Sequence, residues 1–239
     1  MSIVLQYLPY IFVPVLLAIP TGKYIGHIIN EEKTFADRFL SPIEKIIFKV
    51  FHVSNKEMNW KMYLATVLTF SFVSFVVLFL ILKFQNLLPG NPENFSGLSW
   101  SLAFNTAVSF VTNTNWQSYS GEMALSNFSQ SMGLTVQNFV SAAVGIAVVF
   151  VVIRGIKGVS GTGLGNFWKD MTRILLYILA PISIVIALIL VASGVPQTGS
   201  GYRTANLIQP AAVDKNNQII YGADINLSDK TVTLDGKKS

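Results

Sequence analysis

Four long stretches of the chain, Met1–Gly22, Met62–Leu82, Met123–Ile153 and Ile174–Tyr202, contain no Asp, Glu, Lys or Arg. Each is predominantly apolar and supplies the ~20 residues that a helix needs to cross a bilayer. Membrane-spanning helices are therefore expected near Ile3–Ile19, Tyr63–Leu82, Gly133–Val152 and Ile174–Ala192. A fifth apolar run, Ser99–Val111, is too short to span and leads into the polar sequence Thr112-Asn113-Thr114-Asn115-Trp116-Gln117. A segment of that kind enters the membrane and turns back, which is tolerated only where protein or water satisfies its backbone N–H and C=O groups. The expected fold is an all-α membrane protein with four transmembrane helices plus one re-entrant pore helix and loop.

The polar segments divide the rest. The pattern reads as a leading span (1–22), a loop (23–61), a helix–short helix–helix unit (62–153), a second loop (154–173), a further span (174–193) and a polar tail (194–239). In the first loop, Ser41-Pro42-Ile43-Glu44 has the form of a helix start, and Ile43, Ile46, Ile47 and Val50 recur at helical spacing. That helix is expected to lie on the membrane surface or against the bundle, in preference to serving as a dedicated docking site. Leu88-Pro89-Gly90-Asn91-Pro92 is turn chemistry. In the tail, Gln218–Tyr221 and Thr231–Leu234 are short strand candidates in a small β-rich external excursion.

Hydrophobic residues make up 51% of the 239 and charged residues 12%, about half the charge of a soluble domain. The positive charges are sorted by loop. Seven lie between the first two spans (Lys23, Lys33, Arg38, Lys45, Lys49, Lys56, Lys61), four lie in Arg154–Arg173, and none lies between Phe84 and Phe128. Positive loops stay cytoplasmic, so the N-terminus is expected outside. The first helix lacks the positive flank and small-residue cleavage site of a signal peptide and is read as a span. The net charge of +5 reports the same asymmetry, which leaves no support for nucleic-acid binding. With no cysteine there are no disulfides or thiolate metal sites.

Candidate chemistry concentrates at the short segment. A helix ending at the loop points its C-terminal dipole, about half a negative charge, at the loop's mouth, which favours a cation. Thr, Asn and Gln offer neutral oxygens, and carbonyl dipoles suit a weakly hydrated monovalent ion such as K⁺ better than Mg²⁺ or Ca²⁺. The carbonyls of Thr112, Asn113 and Thr114 are the expected ligands, with Asn115 in the same loop, Gln117 closing the outer end and Trp116 packing behind it. Glu122, the only acid between Glu93 and Asp170, either draws cations to the vestibule or anchors the loop. The same loop also suits a water or glycerol channel, or a short buried helix. Gly161-Thr162-Gly163-Leu164-Gly165 follows no strand and is not read as a nucleotide loop. His27, with only Glu31 and Glu32 near it, does not read as a metal site. Gly133 and Gly145 are expected to permit close helix packing.

Thr112–Glu122, followed by Gly133-Leu134-Thr135-Val136-Gln137-Asn138-Phe139-Val140-Ser141-Ala142-Ala143, closely resembles the KdpA family, the potassium-binding subunits of bacterial Kdp potassium-transporting ATPases. Gly163-Leu164-Gly165-Asn166-Phe167-Trp168 and Gly194-Val195-Pro196-Gln197-Thr198 extend the likeness, which runs to about Gly201. The resemblance implies a multi-pass protein of the bacterial cell membrane, in which a leading helix precedes four membrane–pore–membrane repeats around one filter. It implies K⁺ as the transported ion and no organic cofactor. The implied partners are a separate P-type pump subunit that hydrolyses ATP, accessory subunits and lipid. The chain holds the leading helix, one repeat (Tyr63–Val152) and the first helix of a second. It is expected to be a truncated, non-catalytic piece that conducts nothing alone. The alternatives are a non-conducting assembly or regulatory partner of the pump, and a Trk-like K⁺ channel subunit.

Overall fold

The computed structural model describes residues 3–158 and 163–195, with side chains from residue 7 onward, and three short strands nearer the C-terminus. Beside shorter helical turns at Gln85–Leu87 and Gly121–Ala124, six helices of more than ten residues are described in the first unit, Met1–Ser200. They are α1 (Ile3–Ile29), α2 (Asp37–Val50), α3 (Trp60–Lys83), α4 (Trp100–Val111), α5 (Ser129–Ile156) and α6 (Phe167–Ala192). Four of them are long and apolar enough to cross a membrane, over Tyr7–Ile29, Trp60–Lys83, Ser129–Ile156 and Phe167–Ala192. The chain is thus a mostly helical, multi-spanning membrane protein. At 1.5 Å per residue, α4 is about 18 Å long, little more than half the ~30 Å of bilayer hydrocarbon.

The helix starts follow from side-chain caps. Asn59 Oδ1 accepts the Met62 N–H at 2.9 Å to open α3, and Ser99 Oγ accepts the Leu102 N–H at 3.3 Å to open α4. Asn166 Oδ1 takes the N–H groups of Trp168 and Lys169 at the head of α6. Each cap satisfies a donor that the first helical turn leaves orphaned, worth about 1 kcal/mol.

At the end of the bundle that carries most of the Lys and Arg residues, called here the basic end, three boundaries differ clearly from the hydropathy expectation. The first span continues past Ile19 to Ile29, where Ile28 is buried and the Tyr24 hydroxyl donates to the Tyr177 carbonyl oxygen at 2.9 Å. The last span begins at Phe167 rather than Ile174 because Asp170 and Arg173, which end the charge-free run, are paired inside the bundle. The loop helix begins at Asp37 rather than beside Pro42. Its start is set by the Asp37 carboxylate, which accepts from both the N–H and the hydroxyl of Thr34. Pro42 then lies inside the helix on an exposed position.

The interior forms two clusters. At the basic end, Tyr63, Ala143, Ala147, Phe150, Phe167, Met171 and Ile174 join α3, α5 and α6. At the opposite end, Leu78, Leu82, Ala103, Ala107, Phe110 and Leu134 hold the short α4 against α3 and the start of α5. A Cβ on Gly133 would lie 3.2 Å from Ile81 Cγ2 and 3.3 Å from Leu78 Cδ1, so this glycine does allow close approach. Gly145 does not, because nothing lies within 4 Å of the same position.

The second unit, Gly201–Ser239, contains antiparallel strands Asp224–Asn226, Thr231–Leu234 and Lys237–Lys238, with Ile225 opposite Val232 and Thr233 opposite Lys238. The strand candidate Gln218–Tyr221 lies outside the described residues, as do Gly161, Thr162 and Pro196–Thr198.

Candidate functional site

α4 ends where its last carbonyls meet a chain reversal. The Thr112 hydroxyl donates to the carbonyl oxygens of Val108 (2.9 Å) and Ser109 (3.2 Å), and the Asn113 N–H donates to the Phe110 carbonyl at 3.3 Å. The next three N–H groups all turn onto Ser109. Thr114 and Asn115 donate to its carbonyl oxygen at 2.9 and 3.2 Å, and Trp116 donates to its Oγ at 2.7 Å. This convergence requires φ to alternate in sign. Asn113 (φ 59°) and Asn115 (φ 58°) are left-handed on either side of Thr114, the arrangement that makes successive N–H groups line one concavity. Asn is among the few residue types that enter this region readily, which accounts for its use at both positions.

The consequence follows from the planar trans peptide, in which N–H and C=O point in opposite directions. No peptide bond among the described residues is cis. With three successive N–H groups drawn inward, the carbonyls of Asn113, Thr114 and Asn115 point away from Ser109. None of them accepts a hydrogen bond from a described residue. The loop is exposed from Thr112 to Trp116. Its side chains do not compete for this role, since Asn113 Oδ1 accepts from Ser141 Oγ of α5 at 3.2 Å and the Thr112 and Thr114 hydroxyls pair at 3.0 Å. The arrangement is a row of outward carbonyl dipoles at the negative end of a helix, able to ligate a desolvated cation.

Thr112, Asn113, Thr114, Asn115 and Gln117 therefore fall on one loop. The Trp116 side chain is 62% exposed, and its backbone N–H is the group that meets Ser109. Glu122 is exposed in the first turn of the short helix Gly121–Ala124, without a hydrogen-bond or ion-pair partner among the described residues. Sequence reasoning passed over Ser109 and Gln85. A polar residue one turn before the end of an apolar helix was the available signal for Ser109. Gln85 is fully buried, donates to the carbonyls of Ser96 (2.6 Å) and Ala124 (2.8 Å), and accepts the Ser126 N–H at 3.0 Å, which ties together the chain before and after the loop.

Against these features stand the comparisons with known proteins. A family model described as the potassium-transporting ATPase A subunit, KdpA, matches residues 8–226. The chain belongs to the KdpA family. It is 57% identical over 215 residues to the potassium-transporting ATPase potassium-binding subunit of Clostridium botulinum (strain Alaska E43 / Type E3), a match covering 90% of this chain and 37% of that protein. The subunit of the same name from Desulfovibrio desulfuricans is 52% identical over 221 residues, 92% of this chain and 38% of that protein. The one from Listeria monocytogenes serotype 4a is 50% identical over 210 residues, covering 88% and 37%. The chain thus spans less than two-fifths of the length of these KdpA-family relatives. The loop and α4 lie wholly within the matched region.

The basic end is the second polar cluster. Arg154 of α5 grips Asp170 of α6 in a two-pronged pair at 2.7 and 2.9 Å, the Tyr63 hydroxyl donates to Asp170 Oδ2 at 2.9 Å, and Arg154 also caps the carbonyls of Ile29 and Leu164. Beside it, Arg173 pairs with Glu44 of α2 at 2.7 Å, while the Tyr177 hydroxyl lies 3.0 Å from both Asp37 Oδ1 and Glu44 Oε2. Burial alone would raise the Asp37 carboxyl. Hydrogen bonds from Thr34 and Tyr177 and the charge of Arg173 outweigh it and hold the group below its ordinary value of 3.8.

Proposed function

We infer that this chain contributes the first strand of a carbonyl-lined K⁺ filter to the potassium-binding subunit of an ATP-driven K⁺ importer. The observation that carries the reading is the set of three carbonyls, Asn113 to Asn115, turned outward by N–H bonds to Ser109. α4 then acts as a re-entrant pore helix whose C-terminal dipole faces the ion. Similar strands arranged around one axis close a ring that replaces the hydration shell of K⁺. Thr112 contributes its carbonyl at the inner edge and Gln117 lines the outer mouth. Glu122 raises the local cation concentration there.

The names of the relatives support K⁺ as cargo and an ATPase complex as the setting. In this reading ATP is hydrolysed on a separate P-type pump subunit, to which K⁺ passes after the filter. The N-terminus, the Thr112–Gln117 loop and the β-containing tail face the outside, and the basic end faces the cytoplasm of a bacterial cell.

The test is Gln117→Arg in the complete transporter. A guanidinium at the mouth repels K⁺, and the K⁺ concentration for half-maximal uptake is expected to rise at least tenfold. An unchanged value would remove the loop from the ion path.

A further inference from the structure

The face of α2 turned away from the bundle has two stripes. Glu44 and Asp37 face inward onto Arg173 and Tyr177. At 100° per residue, Phe39, Ile43, Ile46 and Val50 line up along one outer flank, and all four are exposed. Arg38, Lys45 and Lys49 line up along the other, exposed and without a partner among the described residues. Turning both acids inward leaves an outer surface that is purely apolar and basic. Its level is set by its contacts, since α2 rests on the first turns of the α6 span and lies between the end of the α1 span and the start of α3. Trp60 and Trp168, at the starts of α3 and α6, mark the same level with half-exposed rings. Next to the apolar flank, Ile47 and Phe51 open onto a cavity of about 700 Å³ lined by Phe70, Trp168 and Leu175.

We propose that α2 is an in-plane anchor that binds anionic phospholipid, with Phe39, Ile43, Ile46 and Val50 among the acyl chains and Arg38, Lys45 and Lys49 on the phosphates. The charge pattern selects the occupant. A neutral apolar partner helix would leave three cations unpaired at its edge, whereas an anionic leaflet satisfies both stripes at once. The anchor keeps α2 in the plane on which Glu44 meets Arg173.

The chain contains no cysteine, so single spin labels report depth directly. In nanodiscs of phosphatidylcholine with phosphatidylglycerol, a label at Ile46→Cys is expected to be relaxed more by oxygen than by an aqueous nickel chelate, and a label at Lys49→Cys the reverse. A label at Ile46→Cys that is shielded from both reagents, as against a protein partner, or relaxed more by the chelate, overturns the proposal. Retention of phosphatidylglycerol over phosphatidylcholine, read by native mass spectrometry, is expected to fall about fivefold in Lys49→Gln and further in Arg38→Gln/Lys45→Gln/Lys49→Gln. None of these side chains is paired among the described residues, so both variants keep the bundle. An unchanged preference in both also overturns it.

Discussion

At the basic end, Arg154 and Arg173 each meet a carboxylate, and Tyr63 and Tyr177 take up further carboxylate oxygens. At the loop end, the carbonyls of Asn113, Thr114 and Asn115 meet no described donor. Both regions put polar groups at the margin of an apolar bundle, yet one closes its hydrogen bonds internally and the other directs its acceptors outward. A buried charge without a partner costs several kcal/mol, so the basic end must be complete within the chain. Neutral carbonyls cost far less to leave in contact with water or an ion, so the loop can hold them ready. The chain pairs the charges it buries and leaves its loop dipoles open.

This contrast breaks most readily at Asp170. Asp170→Asn strands the Arg154 guanidinium in a site where the pair is 16% and 7% exposed, and is expected to cost about 3–5 kcal/mol in thermal unfolding of the purified chain. A loss below 1 kcal/mol would show that water reaches the pair. The loop responds less in stability. Asn115→Val forces a β-branched residue into the left-handed region and is expected to cost about 1–2 kcal/mol and to loosen the alternation, visible as faster amide exchange at Asn115 and Trp116. Ser109→Ala removes one acceptor and keeps the carbonyl, so it should cost about 1 kcal/mol and speed exchange at Trp116 while sparing Thr114 and Asn115. The mildest change concerns acid. The folded-state pKa of Asp37 is depressed, so its contribution is present above the ordinary value of 3.8 and is lost as pH falls through the lower folded value. Asp37→Asn should lower thermal stability at neutral pH and flatten the further loss of stability below about pH 4.

Much of this was legible in the residues. The four spans announce themselves as charge-free runs because a membrane excludes unpaired charge, and α4 announces itself by being too short for the bilayer. Their limits at the basic end were not legible. Hydropathy stops at a charge, whereas α1 runs on past the exposed Lys23, and α6 takes in Lys169, Asp170 and Arg173 because Glu31, Arg154 and Glu44, distant in sequence, pair with them. Asn166 in Gly163–Trp168 could have been read as a helix cap, which would have placed the start of α6 correctly. The loop residues were legible by type, since Thr and Asn supply neutral oxygens. Ser109 was legible only as a polar residue one turn before the end of an apolar helix, and its convergence of three N–H groups was not, because that depends on the backbone reversal at Asn113 and Asn115.

The sequence by itself determined the number of spans, the sorting of positive charge to one end, the short helix with its polar loop and the family. Those properties follow from composition and spacing along the chain, which no partner can alter. Only the tertiary structure decided which charges pair, where the helices begin and which way the loop carbonyls point. Each of these depends on groups far apart in the chain or on a backbone reversal at Asn113 and Asn115, and a local pattern contains neither.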